Sequence, residues 1–326
     1  MRLLVLGGTH FLGRHVVTAA RDRGHEVATF TRGVSGPPPD GVRALHGDRD
    51  DSQALPAALG EWRPDLVVDT SCQTRAAAEN AAAALAGVAG YAFVSSLNAY
   101  RNWPPGPVRS DDDPTWDTPD DDYGPTKAHA ERVLGAALDG RFLTARAGLV
   151  VGPWDPLYRL GWWLDRIAAG GPVVVPADSW DQPIAVVDAR DLAGWLVRMA
   201  EQGVGGAVNA TGPAGMTSFG GLLEACREVT GGDAEWVPLS DADLLAAGVQ
   251  EWVHLPLWLV AEEARSAWDV DTTRARALGL PSRPVRESVA DTWGWMQDAP
   301  RPEAPAGRAL PGLPADLEQA LLAADR

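Results

Sequence analysis

Met1-Arg-Leu-Leu-Val-Leu-Gly-Gly-Thr-His-Phe-Leu-Gly-Arg14 opens the chain and decides its fold. Leu3 to Leu6 is a short continuous apolar run, the mark of a strand buried on both faces. Three of the next seven residues are glycine, and Phe11, Leu12, Val16, Val17 and Ala20 then recur at helical spacing. Strand, glycine turn and helix form the front of a βαβ nucleotide-binding unit. A helix beginning inside such a turn presents unpaired N–H groups and a positive dipole end to a pyrophosphate. Gly7 permits the tight turn, and Gly13 lets the helix pack closely on the sheet.

Further along, the strands Glu26–Thr31, Val42–His46 and Asp65–Asp69, and a fifth strand that with its exit loop spans Gly90–Tyr100, alternate with helical stretches, among them the alanine-rich segment Arg75–Val88. This alternation predicts a Rossmann-type doubly wound parallel sheet with right-handed crossovers. Ligands then belong at the carboxyl ends of the strands, where Gly7, Thr31 and Ser96 fall. The end of the second strand faces the adenosine ribose, where an acidic residue would accept bonds from both hydroxyls. Thr31 and Arg32 stand there instead, and a guanidinium suits a 2′-phosphate, so NADP is expected, with NAD the alternative.

Composition narrows the function classes. The chain has 326 residues, 45% of them hydrophobic, and a formal net charge of −16. A surface this acidic repels phosphate backbones, and no basic run offsets it, so nucleic acid is not an expected partner. No apolar run approaches the roughly 20 residues of a membrane span. The N-terminus enters a strand directly, so no secretion signal is expected. Cys72 and Cys226 lie far apart, which suits a reducing cytoplasm without disulfides. No metal-ligand spacing occurs, and no metal is expected.

The sharpest chemical signal is Tyr123-Gly-Pro-Thr-Lys127. Residues four apart on a helix share a face, so an ammonium can sit near the phenol. A phenol is a poor base near neutrality, and positive charge beside it favours the phenolate. Such a pair can pass a proton to a carbonyl oxygen, or take one from an alcohol, while hydride moves to or from a nicotinamide. Ser95 and Ser96 follow an apolar strand directly, upstream, where a hydroxyl can bond the substrate oxygen.

The glycine loop, Ser95-Ser-Leu-Asn-Ala-Tyr100 and Tyr123-x-x-x-Lys127 together resemble the extended short-chain dehydrogenase/reductase superfamily, including its NAD-dependent epimerase/dehydratase-like members. Arg141–Pro153, Pro183–Leu192, Asn209–Gly212 and Asp269–Gly279 resemble later family segments, so the likeness covers residues 1–298. The resemblance implies that Ser96, Tyr123 and Lys127 are catalytic, with Ser95 a structural neighbour of Ser96. It implies cofactor contacts from Gly7, Thr9, His10, Phe11, Leu12, Gly13, Arg32 and Asp48, besides Tyr123 and Lys127. Asp48 is placed beside the adenine, or else caps the helix that follows. His10 stands where the family's loop has its middle glycine. Its imidazole either turns to solvent or reaches over the phosphates as a proton-dependent contact. An atypical branch with Gly-Gly-Thr-x-Phe-Ile-Gly loops has nucleic-acid-associated, non-enzymatic members.

Residues 1–152 and about 183–212 are expected to form the NAD(P)-binding domain. Residues about 153–182 and 213–298 are expected to form a smaller C-terminal substrate-binding domain. Fourteen tryptophans are many for this length, and seven fall between Trp103 and Trp195. Trp103, Trp154, Tyr158, Trp163 and Trp180 are the candidate pocket aromatics; of the adjacent pair Trp162 and Trp163, one packs in the core. Asp111–Asp113 and Asp120–Asp122 form an acidic rim or a solvated loop. Residues 299–326 read as a Pro-rich tail with a short helix at Asp316–Ala324, docking on the body or on a partner. Small residues in Arg75–Val88 and in the Tyr123 helix suit a homodimer contact or internal packing. The expected function is hydride transfer at a hydroxyl or carbonyl of a small molecule. A sugar-nucleotide epimerase or dehydratase is the second reading, and a non-catalytic nucleotide-binding or nucleic-acid-associated module the third.

Overall fold

The computed structural model describes residues 1–299, 301–303 and 309–324. The first elements are β1 (Arg2–Leu6), α1 (Phe11–Asp22), β2 (Glu26–Thr31), β3 (Arg43–His46), α2 (Ala54–Leu59), β4 (Leu66–Asp69), α3 (Arg75–Leu85) and β5 (Gly90–Ser96). A 3₁₀ turn at Leu97–Ala99 leads through a long loop to α4 (Tyr123–Leu138), β6 (Phe142–Ala147), β7 (Leu149–Val151) and α5 (Arg159–Ala168). Next come β8 (Gly171–Pro176), β9 (Pro183–Ile184), β10 (Val186–Asp188), α6 (Ala189–Gln202), β11 (Gly206–Ala210), β12 (Thr217–Ser218), α7 (Phe219–Thr230) and β13 (Ala234–Leu239). The helices α8 (Asp241–Ala246), α9 (Ala261–Ala267), α10 (Thr273–Ala277), α11 (Val285–Asp298) and α12 (Ala315–Ala324) follow.

Seven strands form one parallel sheet in the order β11-β6-β5-β4-β1-β2-β3. Its central strands are apolar on both faces because helices cover both. The buried side chains of α2, α3 and α4 pack on one face with Leu4, Leu6 and Phe30. Those of α1 and α6 pack on the other with Leu3 and Val5. Strand order reverses beside β1, so the crevice above β1 and β4 is the place a doubly wound sheet offers to a ligand. Ala77, Ala78, Ala81 and Ala82 of α3 and Ala130 of α4 are buried in one core, so these small residues serve close packing within the chain.

A further hydrophobic core lies between α5, α7 and the parallel pair β8–β13, with Trp163 and Trp258 fully buried in it. The tail docks on this lobe. Leu313 and Leu321 enter its core with Leu317 packed beside them, and Glu318 pairs with Arg166 at 2.9 Å. Of the expected tail, residues 300, 304–308 and 325–326 lie outside the described residues. Among the described residues, no helix is long and apolar enough to cross a membrane.

Candidate active site

A cleft of about 430 Å³ opens beyond the carboxyl ends of β1, β2, β3 and β4. Gly7, Thr9, His10, Phe11, Leu12, Gly13, Arg32 and Asp48 all line it. Gly7 and Gly8 both have φ of +105°, a region that side-chain-bearing residues avoid. A Cβ on Gly13 would sit 2.5 Å from the Gly8 backbone nitrogen, so the loop lies directly on the helix. No side chain caps the start of α1, which leaves its first N–H groups for an anion. Bare backbone and a helix N-terminus at the edge of this cleft fit a dinucleotide.

Around this cradle the side chains differ in their commitments. Arg32 is exposed at the cleft and makes no hydrogen bond or ion pair among the described residues. His10 is exposed as well; burial of part of its ring, and then Arg14, lower its pKa below the ordinary histidine value. Asp48 accepts a bond from the Asp50 N–H at 3.0 Å and so closes a turn, while Gln53 stands at the start of α2.

The floor of the cleft was not foreseen from the sequence. Arg49 grips Asp69 with two bonds of 2.7 and 2.8 Å and donates to the Ser71 hydroxyl at 3.1 Å. Tyr91 donates to the same carboxylate at 2.8 Å. Burial alone would raise the Asp69 carboxyl, but the facing guanidinium and these hydrogen bonds hold it below the usual carboxylate range. Burial, and then the Asp69 charge, push the Tyr91 phenol well above its ordinary value. The signal available in the sequence was a carboxylate ending the apolar strand Leu66–Asp69, since a buried charge needs a partner.

The Tyr123 helix starts at the carboxyl ends of β4 and β5. The Lys127 ammonium is buried and donates to the carbonyls of Cys72, at 2.8 Å, and Val94, at 3.1 Å. An ammonium has three donors, so two fix its place and the third stays free for a hydroxyl. It lies 5.6 Å from the centroid of the Tyr123 ring, and Tyr123 itself is 50% exposed. Ser96 is 7% exposed and its hydroxyl accepts from the Asn98 N–H and side-chain amide at 3.2 and 3.1 Å. Its own proton remains available for a substrate oxygen. Ser95 faces the other way and donates to Glu131, which Arg146 holds bidentately. Arg146 also donates to the Tyr100 hydroxyl at 2.7 Å, and Tyr100 donates to Asn209 at 2.7 Å. This network fixes the loop that carries Ser96 and absorbs Asp111, whose carbonyl accepts from Arg146. Arg75 likewise holds Asp121, so part of the supposed acidic rim is structural.

The aromatic expectations separate sharply. Trp163 has no exposed surface: with Leu160, Leu164 and Ile167 it forms the buried face of α5, and its indole donates to the Pro256 carbonyl. Helical spacing sends it into the core, so it is not a pocket residue. Tyr158 is buried and donates to Asp165, and Trp180 packs on Gly220 beside Trp236. Both belong to the packing of the second lobe. Trp103 is part-buried, held by an indole bond to the Ala267 carbonyl at 2.8 Å. Trp154 remains 42% exposed, with the Arg14 guanidinium 4.2 Å from its ring centroid. The loop from β7 to α5 reaches the cofactor cleft through Pro156. Three residues on, Arg159 begins α5, and its Nε is buried without a hydrogen-bond partner. Among the described residues, no group of three or more His, Cys, Asp or Glu side chains could hold a metal ion.

A family model described as "NAD dependent epimerase/dehydratase family" matches residues 3–211. The chain is 33% identical over 194 residues to 2'-dehydrokanamycin reductase of Streptomyces kanamyceticus, covering 55% of this chain and 52% of that protein. It is 25% identical over 252 residues to the chloroplast stem-loop binding protein of 41 kDa b of Arabidopsis thaliana, covering 71% and 63%. The chain thus spans between half and two thirds of these relatives' lengths. The crystal structure of the Bordetella bronchiseptica enzyme WbmH in complex with NAD+ shares the fold, with a TM-score of 0.66 at 20% identity, over 91% of this chain and 98% of that one.

Proposed function

The chain belongs to the NAD-dependent epimerase/dehydratase family, and from that premise we propose that it is an NADP(H)-preferring oxidoreductase acting on a hydroxyl or carbonyl of a small molecule. The observation that carries the reading is Lys127, fixed on two backbone carbonyls one helical turn from an exposed phenol. Gly7, Gly8, Gly13 and the start of α1 hold the pyrophosphate, and Arg32 meets the 2′-phosphate. A nicotinamide bound there would supply or accept the hydride. Tyr123 gives its proton to the carbonyl oxygen in reduction, or removes one in oxidation. Lys127 keeps positive charge beside the phenol and offers its third N–H to the ribose. Ser96 donates to the substrate oxygen and orients it. The relative named as a reductase supports net oxidation or reduction over epimerisation.

Replacing Tyr123 by Phe keeps the ring and removes only the proton donor. Turnover is expected to fall about 10²–10⁴-fold, with cofactor affinity unchanged, in an absorbance screen of carbonyl and alcohol substrates. Near-wild-type turnover would end the assignment of Tyr123. An epimerase would instead convert substrate with no net nicotinamide change. A non-catalytic module, the reading that the stem-loop binding relative keeps in view, would bind cofactor and show no turnover at all.

A further inference from the structure

A serine hydroxyl has two lone pairs that accept and one proton that it donates. At Ser96 both lone pairs are met by one neighbour. The Asn98 backbone N–H donates to Ser96 Oγ at 3.2 Å, and the Asn98 side-chain amide donates to the same oxygen at 3.1 Å. Among the described residues Ser96 itself donates to no acceptor, so its proton is the bonding capacity left over. Asn98 sits in the 3₁₀ turn Leu97–Ala99 and is pinned to the helix that carries Tyr123. Its backbone carbonyl accepts from the Trp116 indole at 3.1 Å. A Cβ on Gly124, the residue after Tyr123, would sit 2.3 Å from that carbonyl oxygen. One residue therefore touches both the serine hydroxyl and the first turn of α4.

We propose that Asn98 is a positioning residue that makes Ser96 an obligate hydrogen-bond donor toward the substrate. This rests on the oxidoreductase reading for the place of Ser96 beside the reacting group, and it deepens that reading. A hydroxyl free to turn could either give or take a hydrogen bond. With its lone pairs held by Asn98, Ser96 can only give one, so the substrate atom there must bring a lone pair of its own. A carbonyl, hydroxyl or alkoxide oxygen does so, and a protonated amine does not.

The test needs no turnover. The NADPH-saturated protein is titrated calorimetrically with benzamide, whose carbonyl accepts hydrogen bonds but resists hydride. Asn98→Asp keeps the size of the side chain and puts an acceptor where the amide donates, so it takes the Ser96 proton for itself. Benzamide affinity should fall about 3- to 10-fold, the scale of one neutral hydrogen bond, while NADPH affinity stays unchanged. In a Ser96→Ala background the same substitution should change nothing, because the hydroxyl through which Asn98 acts is gone. A residue that merely shapes the turn would cost affinity in both backgrounds. Should Asn98→Asp fail to fold, Asn98→Ala, which frees one lone pair, should cost about twofold, again only where Ser96 is present. Absence of benzamide binding in the wild type, equal losses with and without Ser96, or no loss in the Asn98 variant that folds overturns the proposal. Tyr123→Phe should leave this coupling intact, so loss of the proton-transfer assignment and loss of the Asn98 assignment give different results.

Discussion

Two arginines, Arg49 in the lining of the cleft and Arg159 at the start of α5, differ in their surroundings. Arg49, under the nucleotide, spends its donors on Asp69, Ser71 and the Ala77 carbonyl, and Asp69 is further held by Tyr91. Arg159, at the start of α5, has a buried Nε with no acceptor, and Asp155 nearby has a buried oxygen with no donor. A fully satisfied polar network rigidifies, whereas a partly satisfied one is costly until something completes it. The nucleotide wall is therefore organised before any ligand arrives, whereas the start of α5 carries unmet polar atoms.

The strongest way to break this comparison is to treat the two buried carboxylates alike. Asp69→Asn leaves Arg49 buried without its counter-charge, and losing one partner of such a pair typically costs about 3–5 kcal/mol. Asp155→Asn keeps the oxygen that accepts from the Leu157 N–H and removes a carboxylate that forms no side-chain hydrogen bond with Arg159, so its cost should be smaller than that of Asp69→Asn. Urea denaturation of both variants measures the gap, and equal losses would erase the distinction. Their pH dependences should also oppose. Asp69 is held below its ordinary value, so the unfolded chain binds the extra proton, and this stability fades as pH falls through the folded pKa. Asp155 is raised, so the folded chain binds the proton, and its contribution weakens as pH rises above the unfolded carboxylate value. Loss of the acid limb in Asp69→Asn alone is the expected signature.

How much of each wall could be read in advance follows from the same contrast. The nucleotide loop is local: apolar strand, glycines and helix are consecutive, and Gly13 pressing on Gly8 is implied by their spacing. Tyr123 and Lys127 are one turn apart and equally local. The Arg49–Asp69–Tyr91 cluster joins three separate segments, and Lys127 is held by carbonyls that carry no residue signature. On the substrate wall, tryptophan is an ambiguous symbol, because core and pocket both accept it. Only the phase of α5 sends Trp163 inward, while Trp162 meets Gly312 of the tail. The docking of α12 depends on Leu313, Leu317 and Leu321 finding a surface assembled from distant elements.

A smaller effect sharpens the nucleotide side. Arg32 is the one expected ligand there whose charge is uncommitted, and a 2′-phosphate would commit it. Arg32→Ala should weaken NADP binding by about tenfold or more, the value of one hydrogen bond to a charged group, and leave NAD unchanged in calorimetry. Equal losses for both cofactors would remove Arg32 as the discriminating residue and return the preference to NAD.

The smallest expected effect concerns His10. Its pKa lies below the ordinary histidine value in the free protein, through burial first and Arg14 second, which favours the uncharged imidazole. It lines the cleft at the residue just before α1, where the pyrophosphate is expected. A dianion there would favour the imidazolium, so the complex should bind a proton that the free protein does not. Affinity must then rise as pH falls. Because the side chain is exposed, the gain should not exceed about fivefold, the scale of a solvent-screened charge at a helix terminus. Titrating NADP into wild type and His10→Gly between pH 8 and pH 6 separates the cases. Parallel pH profiles would show the imidazole turned to solvent, leaving the glycine loop and the helix terminus to hold the phosphates without it.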